Sequence, residues 1–195
     1  MADRAALPET RPVVSRFLKS RLGGGCSTRA YYDEPEEHAV AVVEAVGSPG
    51  PLLSTFSTAS LHAVVNRLDG ADLRVELMVT VRREHAVAAN MVATSAFNVL
   101  KSGWLAAPGV VFPDVVREYV PSTTTPHLMW AEPFAFSGLG TVTLEGIAQD
   151  IHWLQGVPLS DREVDFLRVE GYDCLSARLE AEDAQYFDLT RSSTV

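Results

Sequence analysis

Cysteine is almost missing: the 195 residues contain two, Cys26 and Cys174. They lie far apart and outside any Cys-x-x-Cys spacing, so neither a thiolate zinc cluster nor a disulfide framework is indicated. That usage fits a reducing compartment, and the expected location is cytoplasmic. Lysine is equally scarce, with only Lys19 and Lys101 among 16 basic residues. Positive charge therefore rests on arginine, which keeps its charge and forms planar bidentate pairs, although a coding bias toward arginine explains the same count. No apolar run approaches the roughly 20 residues that cross a bilayer. The opening Met1-Ala2-Asp3-Arg4-Ala5-Ala6-Leu7-Pro8 lacks the apolar core of a secretory signal. Three catalytic signatures are also absent. Gly23-Gly24-Gly25 leads into Cys26-Ser27-Thr28-Arg29 with no lysine to reach a phosphate, and there is neither a Gly-x-Ser-x-Gly elbow nor a His-Glu-x-x-His pair.

What is present is apolar residue and acid. A hydrophobic fraction of 47% with 21% charged residues suffices to fill the core of one domain. The net charge of -9 argues against a phosphate backbone or an anionic membrane as partner and in favour of a basic one. The acid is concentrated toward the C-terminus. Residues 1–85 hold 10 basic and 11 acidic side chains (-1), 86–160 hold 2 and 5 (-3), and 161–195 hold 4 and 9 (-5).

Periodicity and punctuation give the elements. Thr10 as N-cap, Pro12 in the first turn and Val13, Val14, Phe17 and Leu18 at helical spacing predict a helix that stops at Gly23. Residues 31–37 read as a solvated acidic loop. The β-branched run 39–46 reads as a strand closed by Gly47-Ser48-Pro49-Gly50, with two more strands over 52–58 and 61–66. Leu73, Val75, Leu77 and Val79 alternate with Arg74, Glu76, Met78 and Thr80 as in a strand with one buried face. A helix is expected over 85–102, ending at Gly103. A proline-punctuated stretch follows, with short strands at 110–112 and 127–130, and then a strand over 147–157 broken by Pro158. Ser160 with Glu163 three residues on is a capping box, Leu159 and Val164 fit a hydrophobic staple, and Gly171 follows the last turn. A last helix spans about 173–180, and the tail 188–195 reads as surface-bound. The order lacks regular βαβ alternation, which predicts an α+β single domain with a mixed, largely antiparallel sheet and helices packed on its faces.

Chemically, Asp150 and His152, two apart on the expected strand, would share a face. A carboxylate orients an imidazole for metal binding or base catalysis in that arrangement, and His127 is a further candidate member. The same spacing also describes an exposed polar face opposite buried Ile151 and Trp153. Trp104, Trp130 and Trp153 either line a pocket or anchor the core. The C-terminal carboxylates Asp161, Glu163, Asp165, Glu170, Glu180, Glu182, Asp183 and Asp188 form either a solvated helix face or a surface that steers a basic protein partner.

An ordered series of segments resembles the Suppressor of fused family, in particular its bacterial single-domain members. Residues Ile151-His152-Trp153-Leu154-Gln155-Gly156-Val157-Pro158-Leu159-Ser160-Asp161-Arg162-Glu163 resemble the family's strand and Pro-Leu-(Ser/Thr)-x-x-Glu helix start. Gly171-Tyr172-Asp173-Cys174-Leu175 and Asp188-Leu189-Thr190-Arg191-Ser192-Ser193 follow in order. Arg74-Val75-Glu76-Leu77 is similar to an Arg-x-Glu-Leu strand, and Pro108-Gly109 through Tyr119 to His127-Leu128-Met129-Trp130-Ala131-Glu132-Pro133 resembles the family's middle. The segment 54–61 departs from the family by lacking the glycine of its Thr-x-Gly-x-Ser. The likeness covers about 38–193, which sets residues 1–37 apart as a helix-and-loop leader before a domain at 38–195. It implies structural roles for Arg74, Glu76, His127, Pro133, Trp153, Pro158, Leu159, Glu163, Gly171 and Arg191, with no catalytic residue, metal or cofactor. It further implies a protein-binding role: restraint of a transcription factor by the animal members, and neutralisation of polymorphic toxins, many of them nucleases, by bacterial immunity-type members. A regulatory module for another cellular protein, or a metal- or ligand-dependent enzyme built on Asp150 and His152, are the alternatives.

Overall fold

The structure, a computed structural model, describes residues 5–34 and 36–195. Helix α1 (Arg11–Leu22) has Pro12 in its first turn, where a missing N–H costs nothing, and buries Val14, Leu18 and Leu22 along one stripe. Thr10 stands at the N-cap without capping, because its hydroxyl is hydrogen-bonded to His62 Nε2 at 2.7 Å. Strand β1 (Gly25–Tyr32) pairs antiparallel with β2 (Ala39–Val46), with Tyr31 opposite Val40 and Tyr32 opposite Ala39. The expected loop over 31–37 therefore begins later, at Asp33; of its residues, Pro35 lies outside the described ones, as do residues 1–4 of the expected leader.

Strand β3 (Leu53–Thr58) precedes a single 3-10 turn at Leu61–Ala63 and a short β4 (Asn66–Leu68). The sequence suggested one strand over 61–66. The turn replaces it because the buried Glu76 carboxylate accepts the backbone N–H groups of Leu61 and His62, both at 3.2 Å, and stands 2.6 Å from His62 Nδ1. Glu76 lies on β5 (Ala71–Arg82), which is buried on both faces from Val75 to Val81 rather than on one. Its odd-numbered residues face α2 (Ala88–Ser102), while Met78 packs on the side of α1.

Next come β6 (Val111–Phe112), a short helix α3 (Val115–Tyr119), β7 (His127–Ala131), β8 (Thr141–Val142), β9 (Ile151–Leu159), α4 (Asp161–Glu170) and α5 (Tyr172–Ala181). Helix α3 and strand β8 have no counterpart in the sequence reading. Strand β9 starts later than expected and runs through Pro158, which pairs with Leu128. Pairing of β9 with β5 ends at Gln155. On β9 the Trp153 N–H points away from β5, to Gly140 O. By alternation the nitrogen of Pro158 points to the side where β5 has already ended, so no ladder bond is lost there.

Among the described residues the strands form one nine-stranded sheet in the order β1-β2-β3-β5-β9-β7-β6, with β4 beside β5 and β8 beside β9. Only β5 and β9 run parallel; the other pairs are antiparallel. This is the mixed α+β architecture the sequence predicts. Helix α2 covers one face over Val75, Leu77, Val79, Leu128, Trp130 and Leu154. On the other face α1 covers Val43, Met78, Ile151 and Trp153, while α4 and α5 cover Met129, Val157 and Leu159. Trp130 and Trp153 thus serve as core anchors on opposite faces, and Trp104, 36% exposed, meets Phe112 edge-on at 5.0 Å. Gly156 is required by close approach: a Cβ there would lie 3.0 Å from Val79 Cγ2 and 3.2 Å from Trp130 Cζ3.

Candidate partner-binding face

The C-terminal face is assembled from the strand β9, the helix pair and the returning tail. Ser160 caps α4 as expected: the Ser160 N–H donates to Glu163 Oε2 at 2.8 Å and the Glu163 N–H to Ser160 Oγ at 3.2 Å. The Glu163 carboxylate then does a second task. Arg191 donates through Nη1 to Oε1 at 2.7 Å and through Nη2 to Oε2 at 2.9 Å, and Thr194 adds its N–H and hydroxyl to Oε1 at 3.0 and 2.9 Å. Arg191 Nη2 also donates to Pro158 O at 2.7 Å. Burial alone would raise the pKa of Glu163, but the Arg191 guanidinium and the Ser160 and Thr194 backbone N–H groups outweigh it and lower it from 4.5. The tail is therefore no loose surface segment: Leu189 is fully buried, and Thr125 Oγ1 donates to Leu189 O at 2.9 Å.

Two grooves flank this helix pair. On the α4 side, Pro113, Asp114, His127, Asp161, Asp165 and Arg168 border a groove of about 590 Å³. The Asp114 N–H donates to His127 Nδ1 at 3.0 Å, so Nε2 carries the hydrogen and donates to Asp161 Oδ1 at 2.9 Å. The carboxylates here already have cations: Arg117 pairs with Asp114 at 2.9 Å and with Asp161 at 3.4 Å, and Arg168 pairs with Asp165 at 2.9 Å. The hydrogen bond from His127, ahead of Arg117, lowers the pKa of Asp161.

On the α5 side a groove of about 420 Å³ has Met129 and Val157 in its lining, aromatic walls of Phe134, Tyr172 and Tyr186, and Glu132 and Glu180 beside them. Phe134 is 48% exposed and lies 5.0 Å from the Tyr186 ring and 6.2 Å, stacked, from Phe187. The fully buried Gln155 fixes its backbone, since Oε1 accepts the N–H groups of Phe134 and Ala135 at 3.2 Å each. Burial, and then the charge of Glu180 and Asp183, raise the pKa of Tyr186; burial, with Glu132 and Asp173 adding to it, raises that of Tyr172.

The carboxylates singled out from the sequence distribute unevenly. Asp161, Asp165 and Glu170 are exposed on α4, Glu180 on α5, and Glu182 and Asp183 just beyond it. Glu182 pairs with Arg178 at 3.4 Å. Asp188 is mostly buried, pairs with Arg82 at 2.9 Å and accepts from Thr190. Glu163 is a correction: it is fully buried around Arg191 and presents no oxygen to a partner.

Arg74 donates to Ala63 O at 3.0 Å and pairs with Asp72 at 2.7 Å. Trp153 packs against Phe17 with ring centroids 5.4 Å apart, Pro158 and Leu159 are buried on β9, and half-buried Pro133 precedes Phe134. Gly171, at φ +88°, ends α4 and begins α5 in one residue, a conformation glycine adopts without penalty.

Of the two readings of Asp150 and His152, the catalytic or metal-binding pair does not assemble, and the residues lie on a polar face opposite buried Ile151 and Trp153. Asp150 precedes β9, is exposed and accepts from Thr143 at 2.6 Å, whereas His152 Nδ1 and Thr141 Oγ1 are 2.9 Å apart. His127 is committed to Asp114 and Asp161 in the α4-side groove. Among the described residues no cluster of three or more His, Cys, Asp or Glu is placed to hold a metal ion. The aromatic groove was missed by the sequence reading. Phe134, Tyr172 and Tyr186 come from three separate segments with no shared spacing, and only their acidic neighbours carried a signal.

Fold and face together define an acidic α+β scaffold in which surface chemistry is concentrated around the C-terminal helix pair. The family model described as Suppressor of fused protein (SUFU) matches residues 34–192, and the chain belongs to that family. The chain is similar to the Immunity protein YqcF of Bacillus subtilis (strain 168), with 28% identity over 185 residues, 94% of this chain and 96% of that protein. Its fold is similar to the crystal structure of a putative SUFU homolog from Neisseria gonorrhoeae FA 1090. There the TM-score is 0.72 at 14% identity, covering 94% of this chain and 93% of the other. That coverage extends beyond the stretch 34–192. Drosophila Suppressor of Fused superimposes with a TM-score of 0.58 at 13% identity over 87% of this chain, which spans 42% of that longer protein. A Sufu–Fu complex structure matches with the same score and identity. Among the described residues no helix is long and apolar enough to cross a membrane.

Proposed function

We propose that this chain is an immunity protein: a non-enzymatic, cytoplasmic binder that neutralises a basic toxin domain by covering its active site or substrate channel. The observation that carries this reading is the end-to-end similarity to a protein named as an immunity protein, 28% identical over 94% of this chain. The acidic C-terminal face supports it. Carboxylates on Asp161, Asp165, Glu170, Glu180, Glu182 and Asp183 stand in for phosphates at the arginines and lysines of a nuclease-type toxin, steering association and forming charge-assisted hydrogen bonds. Glu163 and Arg191 act behind that face by fixing the tail and α4.

Co-expression tests the reading. Cells carrying the toxin-like gene next to the one for this chain are expected to survive only when this chain is present, and the two proteins are expected to co-purify. Death despite co-expression, with no complex, would refute it. A regulatory role toward another cellular protein is the second reading, favoured by the likeness to a Suppressor of fused domain crystallised with Fu. Recovery of a complex with a non-toxin protein, without rescue, would favour that one.

A further inference from the structure

The two grooves beside the C-terminal helices differ in whether their negative charge is already answered. On the α4 side Asp114, Asp161 and Asp165 each have an arginine or histidine within 4.0 Å. On the α5 side Glu132, Asp173, Glu180 and Asp183 form no ion pair among the described residues. The groove between them has three aromatic walls, Phe134, Tyr172 and Tyr186.

Exposed carboxylates alone would be a solvated helix face. Here two of them, Glu132 and Glu180, line a cavity of about 420 Å³ whose walls are held in place before any ligand arrives. Phe134 is anchored through its backbone by buried Gln155 and through its ring by Tyr186 and Phe187. An exposed phenylalanine fixed in this way loses little conformational freedom on binding. Aromatic faces attract a cation through their quadrupole, and uncompensated carboxylates beside them add both field and hydrogen-bond acceptors. Burial is the main cause of the raised pKa values of Tyr172 and Tyr186, and the neighbouring carboxylates add to it.

We infer that the groove between β7 and α5 receives a cationic side chain, arginine in preference to lysine, from the protein partner, stacked on Phe134, Tyr172 and Tyr186 and paired with Glu132 and Glu180. This rests on the protein-binding reading and names the chemistry that reading leaves open. Arginine is preferred because its planar guanidinium stacks on a ring and meets a carboxylate with two parallel N–H groups, which an ammonium does not. A second copy of this chain is the wrong occupant for the groove, since two acidic faces repel.

The test uses the full chain, 15N-labelled, titrated with a six-arginine peptide, a six-lysine peptide and a six-glutamate peptide. Saturable shifts are expected at amides of residues 129–134 and 172–186 with arginine, weaker ones with lysine and none with glutamate. Phe134→Ala and Glu180→Gln, both exposed positions, should each raise the Kd for the arginine peptide about two- to fivefold. Glu170→Gln, an exposed carboxylate of α4 outside the groove, should leave it unchanged. Shifts centred on His127 and Asp165, an equal effect of Glu170→Gln, or no saturable shift would overturn the assignment. The titration needs no toxin. A chain that fails to rescue cells but binds arginine here loses the immunity role and keeps the groove; a chain that rescues but shows no such shifts loses the groove alone.

Discussion

Arg191 and Glu163 face each other as a closed fork, with guanidinium nitrogens 2.7 and 2.9 Å from the two carboxylate oxygens and both side chains at least 96% buried. The pair joins the first turn of α4 to a tail that returns across β9, and it accounts for the burial of a segment whose composition reads as polar surface.

Removing one member leaves the other charged and buried. Arg191→Met or Glu163→Gln should cost about 3–5 kcal/mol. In a chain of this size that lowers the melting temperature by roughly 6–20 °C. Thermal melts of the two single variants and the double variant check this. A double variant no worse than either single one is expected, because the partners share one interaction.

Acid should loosen the same contact. The folded pKa of Glu163 is lowered, so its contribution is fully present above the ordinary value of 4.5 and lost as pH falls through the lower folded value. Asp161 and Asp188 are lowered as well and act in the same direction. Urea midpoints should therefore hold from pH 7 to 5 and fall below 4.5, with the gap between wild type and Glu163→Gln closing over that interval.

Gly156→Ala probes the packing of Trp130 on β9. A methyl 3.0–3.3 Å from Val79, Trp130 and Leu128 must displace a buried indole, and the expected loss is about 1–3 kcal/mol. Denaturant titration followed by tryptophan fluorescence measures it.

Glu76→Ala should unseat the 3-10 turn at Leu61–Ala63. It strips acceptors from two buried N–H groups and from His62, at about 1–3 kcal/mol for each donor left without a partner. Because His62 also meets Thr10, hydrogen exchange in the first turn of α1 should accelerate in this variant while α5 stays protected.

The elements legible in the sequence are those whose signals are local. Ser160 and Glu163 lie three apart, so their capping box is readable, as is the β-branched run of β2. Strand β1 carries little pattern of its own and becomes a strand through register with β2. The burial of both faces of β5 depends on where α1 and α2 land. Glu163 shows the limit most clearly: its helix-capping role is written three residues away, whereas its partner Arg191 is 28 residues on, so charge counting placed on the surface a carboxylate that the fold buries. The aromatic groove escapes the sequence for the same reason, since its walls come from a loop, a helix start and a helix exit.

The uncompensated acid of the C-terminal face is the surface proposed to bind a basic protein partner. The most direct test is the Kd of the purified chain for the product of the neighbouring toxin-like gene, measured across salt concentrations for the wild type and for a Glu132→Lys, Glu180→Lys, Asp183→Lys variant. Affinity is expected to weaken as salt rises and to fall at least about tenfold in the variant at low salt. Binding that is indifferent to both salt and charge reversal, or no binding at all, would contradict this proposal.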